Sequence, residues 1–443
     1  MSPVVRRQGK VMRLALPIML GMLSQSVLNL VDAALVGHLG EQALAGVGIG
    51  GYAMFMVTAL VFGLSSSVQS QTAQKLGAGG ATPTRPLYAG LIIGMLVGMP
   101  LSCLAWWQAP VLLQLMASSD EVQALAVDYF RWRVISLTAI ALTLCLRGYW
   151  NGLQHTHLYL RIIVIVHVFN VVISAGLIYG VAGLPALGTS GAGIGTTLSL
   201  FLGLVIWSWV TLKHTQRSGA YLPGWRAIRT TLLLATPHSV QQLLFAAGYV
   251  VLFWLLSKMG TESVAVGHVL INLSLLLILP GVGVGVAVMS LVGEALGRDN
   301  KHEAHRWGID ALNVAGMLLT LLALPMLLLP EHVLAIFFTD NNLIQLGSLP
   351  LQITAVMIVL DAAALVLAQA LMGAGAQRTV MLLTLGMQWF VFLPLAWWVG
   401  IGLGYGLLGV WLMQLVYRLL NSTGFLWVWQ RRRWQTQIVL NSV

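Results

Sequence analysis

Twelve long apolar stretches follow one another through almost the whole chain, separated by short polar turns. They run at roughly 14–37, 45–73, 87–108, 122–146, 158–181, 191–213, 228–257, 264–293, 307–329, 345–370, 379–400 and 406–429. At 1.5 Å per residue each is long enough to cross about 30 Å of hydrocarbon. Lipid offers no hydrogen-bond partners, so a spanning segment must satisfy its own backbone, and helices do so. The strict alternation of a membrane barrel strand is absent. Of the 443 residues only 8% are charged, against about 25% in soluble domains. The fold class expected is therefore an all-α polytopic membrane protein with twelve transmembrane helices and no soluble domain.

The basic residues orient it. Arg6, Arg7, Lys10 and Arg13 precede span 1, Lys75 and Arg85 follow span 2, and Arg147 and Arg161 follow span 4. Lys213, Arg217, Arg226 and Arg229 follow span 6; Arg298, Lys301 and Arg306 follow span 8; Arg378 follows span 10; and Arg431, Arg432 and Arg433 close the chain. The intervening loops hold almost none, with Lys258 the main exception and Arg131 and Arg133 just inside span 4. By the positive-inside rule both termini face the cytoplasm. The net charge of +10 is thus a topology signal, and no nucleic-acid partner is expected. Cys103 and Cys145 lie in apolar runs and form no disulfide framework or metal motif. No small-residue cleavage site follows a short apolar region near the N-terminus, so span 1 is read as retained.

The chain also repeats. Pro17 aligns with Pro237 at an offset of 220 (237 less 17), and the same offset pairs Gly40 with Gly260, Gly63 with Gly283 and Ser70 with Ser290. GLQHT at 152–156 likewise resembles GAQRT at 375–379. Spans 1–6 and 7–12 are two copies. Six spans return the chain to the side it left, so the copies share one orientation and their pseudo-two-fold axis runs along the membrane normal. The lobes expected are 1–215 and 216–443, joined by a basic linker near 214–227, with the cargo site between them.

Polar residues inside the spans are the functional candidates. Gln25, Asn29 and Asp32 are spaced i, i+4, i+7, along one helix face. A carboxylate at the centre of a membrane helix costs about 2.5 kcal/mol or more and normally faces a bundle interior or a water-filled cavity. Asp32 is read as a working acid. Asp361 in span 10 is the second buried acid; it is not the repeat mate of Asp32, whose slot is filled by Leu252. Arg418 in span 12 is its candidate ion partner. Span 5 offers His167, Asn170 and Ser174; span 7 offers His238, Gln241, Gln242 and Tyr249; span 8 offers His268 and Asn272. Of these, Asn170, Gln241, Gln242, Tyr249, His268 and Asn272 join Gln25 and Asn29 as expected cavity-lining residues. GVGVGV at 281–286 lacks the following Lys-Ser/Thr of a phosphate loop. No cofactor, nucleotide site or enzyme constellation is expected, and transport, if that is the function, must be driven by an ion gradient or run passively.

Several segments carry a family resemblance: LALPIML and VDAALVGHLG in span 1, QTAQKLGAG closing span 2, and LRGYWNGLQHT after span 4. Together with the six-plus-six repeat, they resemble the multidrug and toxic compound extrusion (MATE) transporters over essentially the whole chain. The resemblance implies a V-shaped pair of six-helix lobes that rock between inward-open and outward-open states. It also implies export of organic, often cationic, compounds in exchange for H⁺ or Na⁺. By position, Asp32 matches the family's span 1 aspartate, implicated in ion coupling, and Asp361 matches its span 10 aspartate. Two departures stand out. Phe245 occupies the place where NorM-like members carry a span 7 glutamate, and span 6 has no acid where some DinF-like members carry an aspartate. This favours H⁺ at Asp32 over Na⁺ at Asp361 or Asp32. The reading is a monomeric inner-membrane antiporter for small organic cations. A lipid-linked precursor flippase, or a narrow-substrate exporter of the same superfamily, stands as the alternative.

Overall fold

The computed structural model describes residues 3–79, 84–114, 116–117, 119–215 and 223–436. Residues 216–222 of the expected linker, including Arg217, and 437–443 of the tail lie outside them. All regular structure among the described residues is helical. In chain order the first repeat gives α1 (Pro3–Gly37), α2 (Glu41–Gly77), α3 (Arg85–Gln114), α4 (Asp120–Val134), α5 (Leu137–Gly152), α6 (Thr156–Tyr179) and α7 (Gly188–Thr215). The second gives α8 (Trp225–Ser257), α9 (Thr261–Gly297), α10 (Lys301–Leu328), the short α11 (Pro330–Leu334) and α12 (Asn341–Gly373). It continues with α13 (Gln377–Gly386) and α14 (Leu393–Trp397), which π-helical turns at Met387–Phe392 and Trp398–Gly402 extend into one span, and ends with α15 (Gly406–Gln430). Among the described residues, ten of these helices or joined helices are long and apolar enough to cross a membrane singly. The bent pair α4 and α5 makes the eleventh, and α15 completes the six-plus-six arrangement. Several ends overrun the expected ones by a turn or more, among them those of α3 at Gln114 and α5 at Gly152. The flanking polar residues still favour helix, and apolar content marks only the part that lipid covers.

The repeat is geometric as well as sequential. Gly40 and Gly260, paired at offset 220, open α2 and α9 with φ of 114° and 106°, a backbone region that side chains with a Cβ avoid. Gly63 on α2 donates its N–H to Ser239 Oγ on α8 at 3.0 Å, and a Cβ there would run into the Ala235 carbonyl. Its mate Gly283 on α9 packs against Met19 on α1, and Met19 is the repeat equivalent of Ser239.

Contacts divide the chain into two compact units. One is Leu20–Ser239; the other joins α1 as far as Met19 to the helices from Val240 onward. Compared with lobes drawn at 1–215 and 216–443, the first parts of α1 and α8 are exchanged. Each crossover falls two residues after the repeated proline, Pro17 or Pro237. In the first unit α2 packs on α4 and α5, α3 on α5, and α6 on α7; in the second α12 packs on α9, α10 and α15. The first unit's core gathers Val68, Leu87, Phe130, Leu137, Tyr149 and Ile162.

Span 4 is broken, and the break positions a functional side chain. α4 and α5 meet at 46° across Ile135–Ser136. Helix carbonyls near the break find hydroxyl donors: Ser136 Oγ donates to Arg133 O at 2.7 Å, Ser102 Oγ to Val134 O at 2.6 Å, and Thr197 Oγ1 to Trp132 O at 2.8 Å. Irregular backbone at membrane depth survives where neighbouring helices supply such partners. α5 then runs on to Gly152. Arg147 therefore lies within a helix, not in the loop after span 4 that its charge suggests.

Candidate functional site

The first unit holds a cavity of about 370 Å³ between α1, α2, α4, α5, α6 and α7. Its wall is mostly apolar and aromatic, with Phe55, Phe62, Tyr159 and Trp207, and it carries the polar groups Gln25, Arg133, Arg147, His167 and Asn170. A mostly apolar chamber with a few convergent polar groups is the usual form of a small-molecule site.

A hydrogen-bonded chain ties α1 to α6. Ser24 Oγ lies 2.7 Å from His167 Nδ1, His167 Nε2 lies 3.2 Å from Gln25 Oε1, and Gln25 Nε2 donates to Asn29 Oδ1 at 3.1 Å. A neutral ring with its proton on Nε2 satisfies every member: Ser24 donates to Nδ1 and Nε2–H donates to Gln25. Asp32 stands one turn beyond Leu28, which lines the cavity. Its Oδ1 is buried with no hydrogen-bond partner, and the charge that acts on it is Arg133. Arg133 is itself unsatisfied, with Nε and Nη1 buried and unpartnered. Asn170 is fully buried on the cavity wall, with neither side-chain polar atom bonded, and Ser174 Oγ is unpartnered one turn on. Buried polar groups are almost always paired. Unbonded polar atoms also gather by Asp361, at its own Oδ1, Arg418 Nε, Gln388 Oε1 and Gln414 Oε1; what sets the first unit apart is the chamber beside them.

The second unit treats its acid differently. Asp361 on α12 is buried and ion-paired with Arg418 on α15, which is also buried. Tyr249 and Tyr417 flank the pair. The space beside them is about 10 Å³, room for about one water. Phe245, at the position of the expected glutamate, stacks edge-on to Tyr249 at 5.2 Å, and its carbonyl accepts from Gln388 Nε2 at 3.2 Å. Leu252, the repeat mate of Asp32, is buried and apolar.

The expected cavity-lining residues thus separate into two groups. Gln25 and Asn170 line the first unit's cavity, the exposed Asn29 is bonded to Gln25, and Tyr249 lies by Asp361 in the second unit. Gln241 bonds Thr384 at 3.4 Å instead, and its neighbour Gln242 is half-buried. His268 and Asn272 are exposed and bond each other. His238, expected on one face with the span 7 glutamines, pairs with Ser66 at 2.6 Å in the first unit. The helix face read along span 7 therefore serves two units in turn. Sequence reasoning takes Arg147 as an orientation signal and Arg133 as an exception just inside span 4, and misses their place on the cavity wall. A basic residue well inside a span, two positions before a break, is the available sign for Arg133.

The MatE family profile matches residues 17–175 and 237–398, one match in each repeat. Among curated relatives, the probable multidrug resistance protein NorM of Thermotoga maritima is 25% identical over 99% of this chain and 95% of its own length. The multidrug resistance protein PmpM of Pseudomonas aeruginosa is 27% identical over 88% and 84%. A solved structure described as the outward-facing conformation of a multidrug resistance MATE family transporter superposes with a TM-score of 0.87 at 22% identity, over 96% of both chains. At that identity the superposition speaks for the fold.

Proposed function

Because this chain belongs to the MatE family of integral membrane multidrug transporters, we propose that it exports organic compounds across the inner membrane in exchange for protons carried on Asp32. It is not an enzyme. The observation that carries the coupling assignment is the contrast between the two acids. Asp361 forms an ion pair with Arg418, whereas Asp32, with one oxygen buried and unbonded as one of Asp361's also is, forms no ion pair among the described residues and stands beside a chamber. A carboxyl able to cycle between charged and neutral forms gives an antiporter its switch. Charged, it attracts a cationic group across a low-dielectric chamber; protonated, it releases that group. A sodium ion calls for several oxygen ligands, and among the described residues no carboxylate lines the chamber beside Asp32; a proton needs only the one carboxyl. The cavity beside Asp32 serves as the cargo site, with Gln25, Asn29 and Asn170 as polar contacts. Asp361 then serves as a structural ion pair. The transporter works as a monomer by alternating access, with both termini cytoplasmic.

The flippase alternative draws support from one observation, the two arginines on the cavity wall, which suit a phosphate. The family match and the unpaired acid favour the exporter. The test is ethidium efflux from liposomes holding the purified protein, driven by a pH gradient alone and then by a Na⁺ gradient alone. Efflux with the pH gradient only, lost in Asp32→Asn, is expected; efflux with Na⁺ only would overturn the proton assignment.

A further inference from the structure

A separate recess lies between the first turns of α1 and α10, inside the unit that joins them. Its volume is about 630 Å³, and its wall carries Arg6, Arg7, Lys10 and Arg13 of α1 and Trp307 of α10. Among the described residues no acid lines it. Arg7 is ion-paired with Asp310, which holds α1 against α10. Lys10 lies over the ring of buried Trp307 at 5.5 Å. The carboxylate it reaches, Glu294 at 4.0 Å, is held more closely by Arg298 at 2.7 Å. Arg6 and Arg13 are exposed and form no ion pair among the described residues. The recess therefore carries more positive charge than its neighbours cancel.

The faces of α1 indicate what that charge meets. Val11, Leu14, Ala15 and Ile18, spaced i, i+3, i+4 and i+7, are buried. On the other side Arg6, Lys10 and Arg13 are followed by Leu16 and Leu20, which are 46% and 44% exposed. One exposed face thus runs from bases to apolar side chains, and the apolar stretch begins directly after Arg13. At 1.5 Å per residue Lys10 stands about 4.5 Å beyond Arg13, inside a headgroup layer about 5–8 Å deep. A soluble anion has a use for the bases alone, whereas a lipid has a use for both ends of this face. We propose that the recess binds an anionic glycerophospholipid. Its phosphate sits against Lys10 and Arg13 with Arg6 adding to the field, Trp307 forms the floor, and the acyl chains follow Leu16 and Leu20. Basic pockets between membrane helices hold anionic headgroups through the same attraction. Such binding needs only that the chain spans a membrane, and leaves the coupling at Asp32 untouched.

Native mass spectrometry of the purified protein in a non-ionic detergent tests it. The protein is titrated with dioleoyl phosphatidylglycerol and, separately, with dioleoyl phosphatidylcholine, whose phosphate is offset by choline. The first phosphatidylglycerol is expected to be retained at least about fivefold more tightly, the worth of one basic residue at an anionic surface. Arg6→Gln, Lys10→Gln and Arg13→Gln should each lower that preference, and the triple variant should bring it to near one. Arg13→Lys, which keeps the charge, should retain most of it. Arg226→Gln, exposed on α8, is the control and should leave it unchanged. Melting temperatures without added lipid verify that the variants are folded. Equal retention of the two lipids, or a preference that survives the triple variant, overturns the proposal. Displacement of the lipid by an equal concentration of glycerol 3-phosphate would assign the recess to a soluble anion and overturn it as well.

Discussion

Asp32 and Asp361 lie in membrane-spanning helices of one chain, each in its own compact unit, and they are partnered differently. Asp361 is buried between α12 and α15 with Arg418 as its partner and space for about one water beside it. Asp32 sits beside a chamber of about 370 Å³ and forms no ion pair among the described residues, its Oδ1 buried and unbonded as Asp361's Oδ1 also is. A paired charge in low dielectric is fixed structure, because breaking the pair strands both members. An unpaired one retains chemistry, since protons and ligands are its remaining partners. The repeat makes the comparison sharper. The two copies share turns and glycine contacts, yet Asp32 has Leu252 as its mate. The two copies share a scaffold, and the two acids occupy non-equivalent places in it.

The largest expected effect comes from Asp32→Asn. It should abolish pH-driven ethidium efflux while shifting thermal stability by no more than about 1 kcal/mol, because the amide keeps the shape and removes only an unpaired charge. Normal efflux in this variant would break the comparison. The converse is expected at the other acid. Arg418→Met alone should destabilise the protein by about 3–5 kcal/mol, since it strands Asp361, whereas Arg418→Met combined with Asp361→Leu should recover most of that loss. Thermal unfolding in detergent reads both. A single variant with wild-type stability would show that the pair is not structural.

A smaller effect contrasts the units through their repeat-related glycines. Gly63→Ala drives a methyl into a backbone carbonyl, where it should cost about 1–3 kcal/mol. Gly283→Ala meets chiefly the flexible Met19 side chain and should cost less. Equal costs would mean that the two helix crossings are equally rigid. Ser24→Ala removes one donor from the chain through His167 and should cost about 1 kcal/mol.

The smallest effect serves as a control on pH. His155, in the turn between α5 and α6, has its pKa pushed below the ordinary 6.5 by partial burial and by the neighbouring His157 and His214. A base with a depressed folded pKa is neutral in the folded protein but binds a proton on unfolding. Its contribution is therefore fully present above pH 6.5 and is lost as pH falls below that value. His155→Gln should flatten the decline of melting temperature with acidification and leave the pH dependence of efflux in place. If both pH dependences vanished together, the transport pH response would not belong to Asp32.

The helical class, the twelve spans, the doubling at offset 220 and the two acids are all legible along the chain. Each follows from local rules: hydropathy over a span, glycine where φ must be positive, and the cost of a carboxylate in lipid. Family membership is legible too, from the motifs around Asp32 and the 152–156 turn. What each charge does is settled by packing alone. Arg147 and Arg161 both read as basic residues near the end of span 4, and nothing local shows that α5 carries Arg147 onto a cavity wall. The pairing of Asp361 with Arg418 spans 57 residues, a contact that helix packing creates. Arg133 reaches Asp32's neighbourhood only because α4 breaks beside it, and hydroxyls from α3, α7 and the break itself make that break tolerable. Hydropathy is a property of a segment, whereas the partner of a charge is a property of how segments pack.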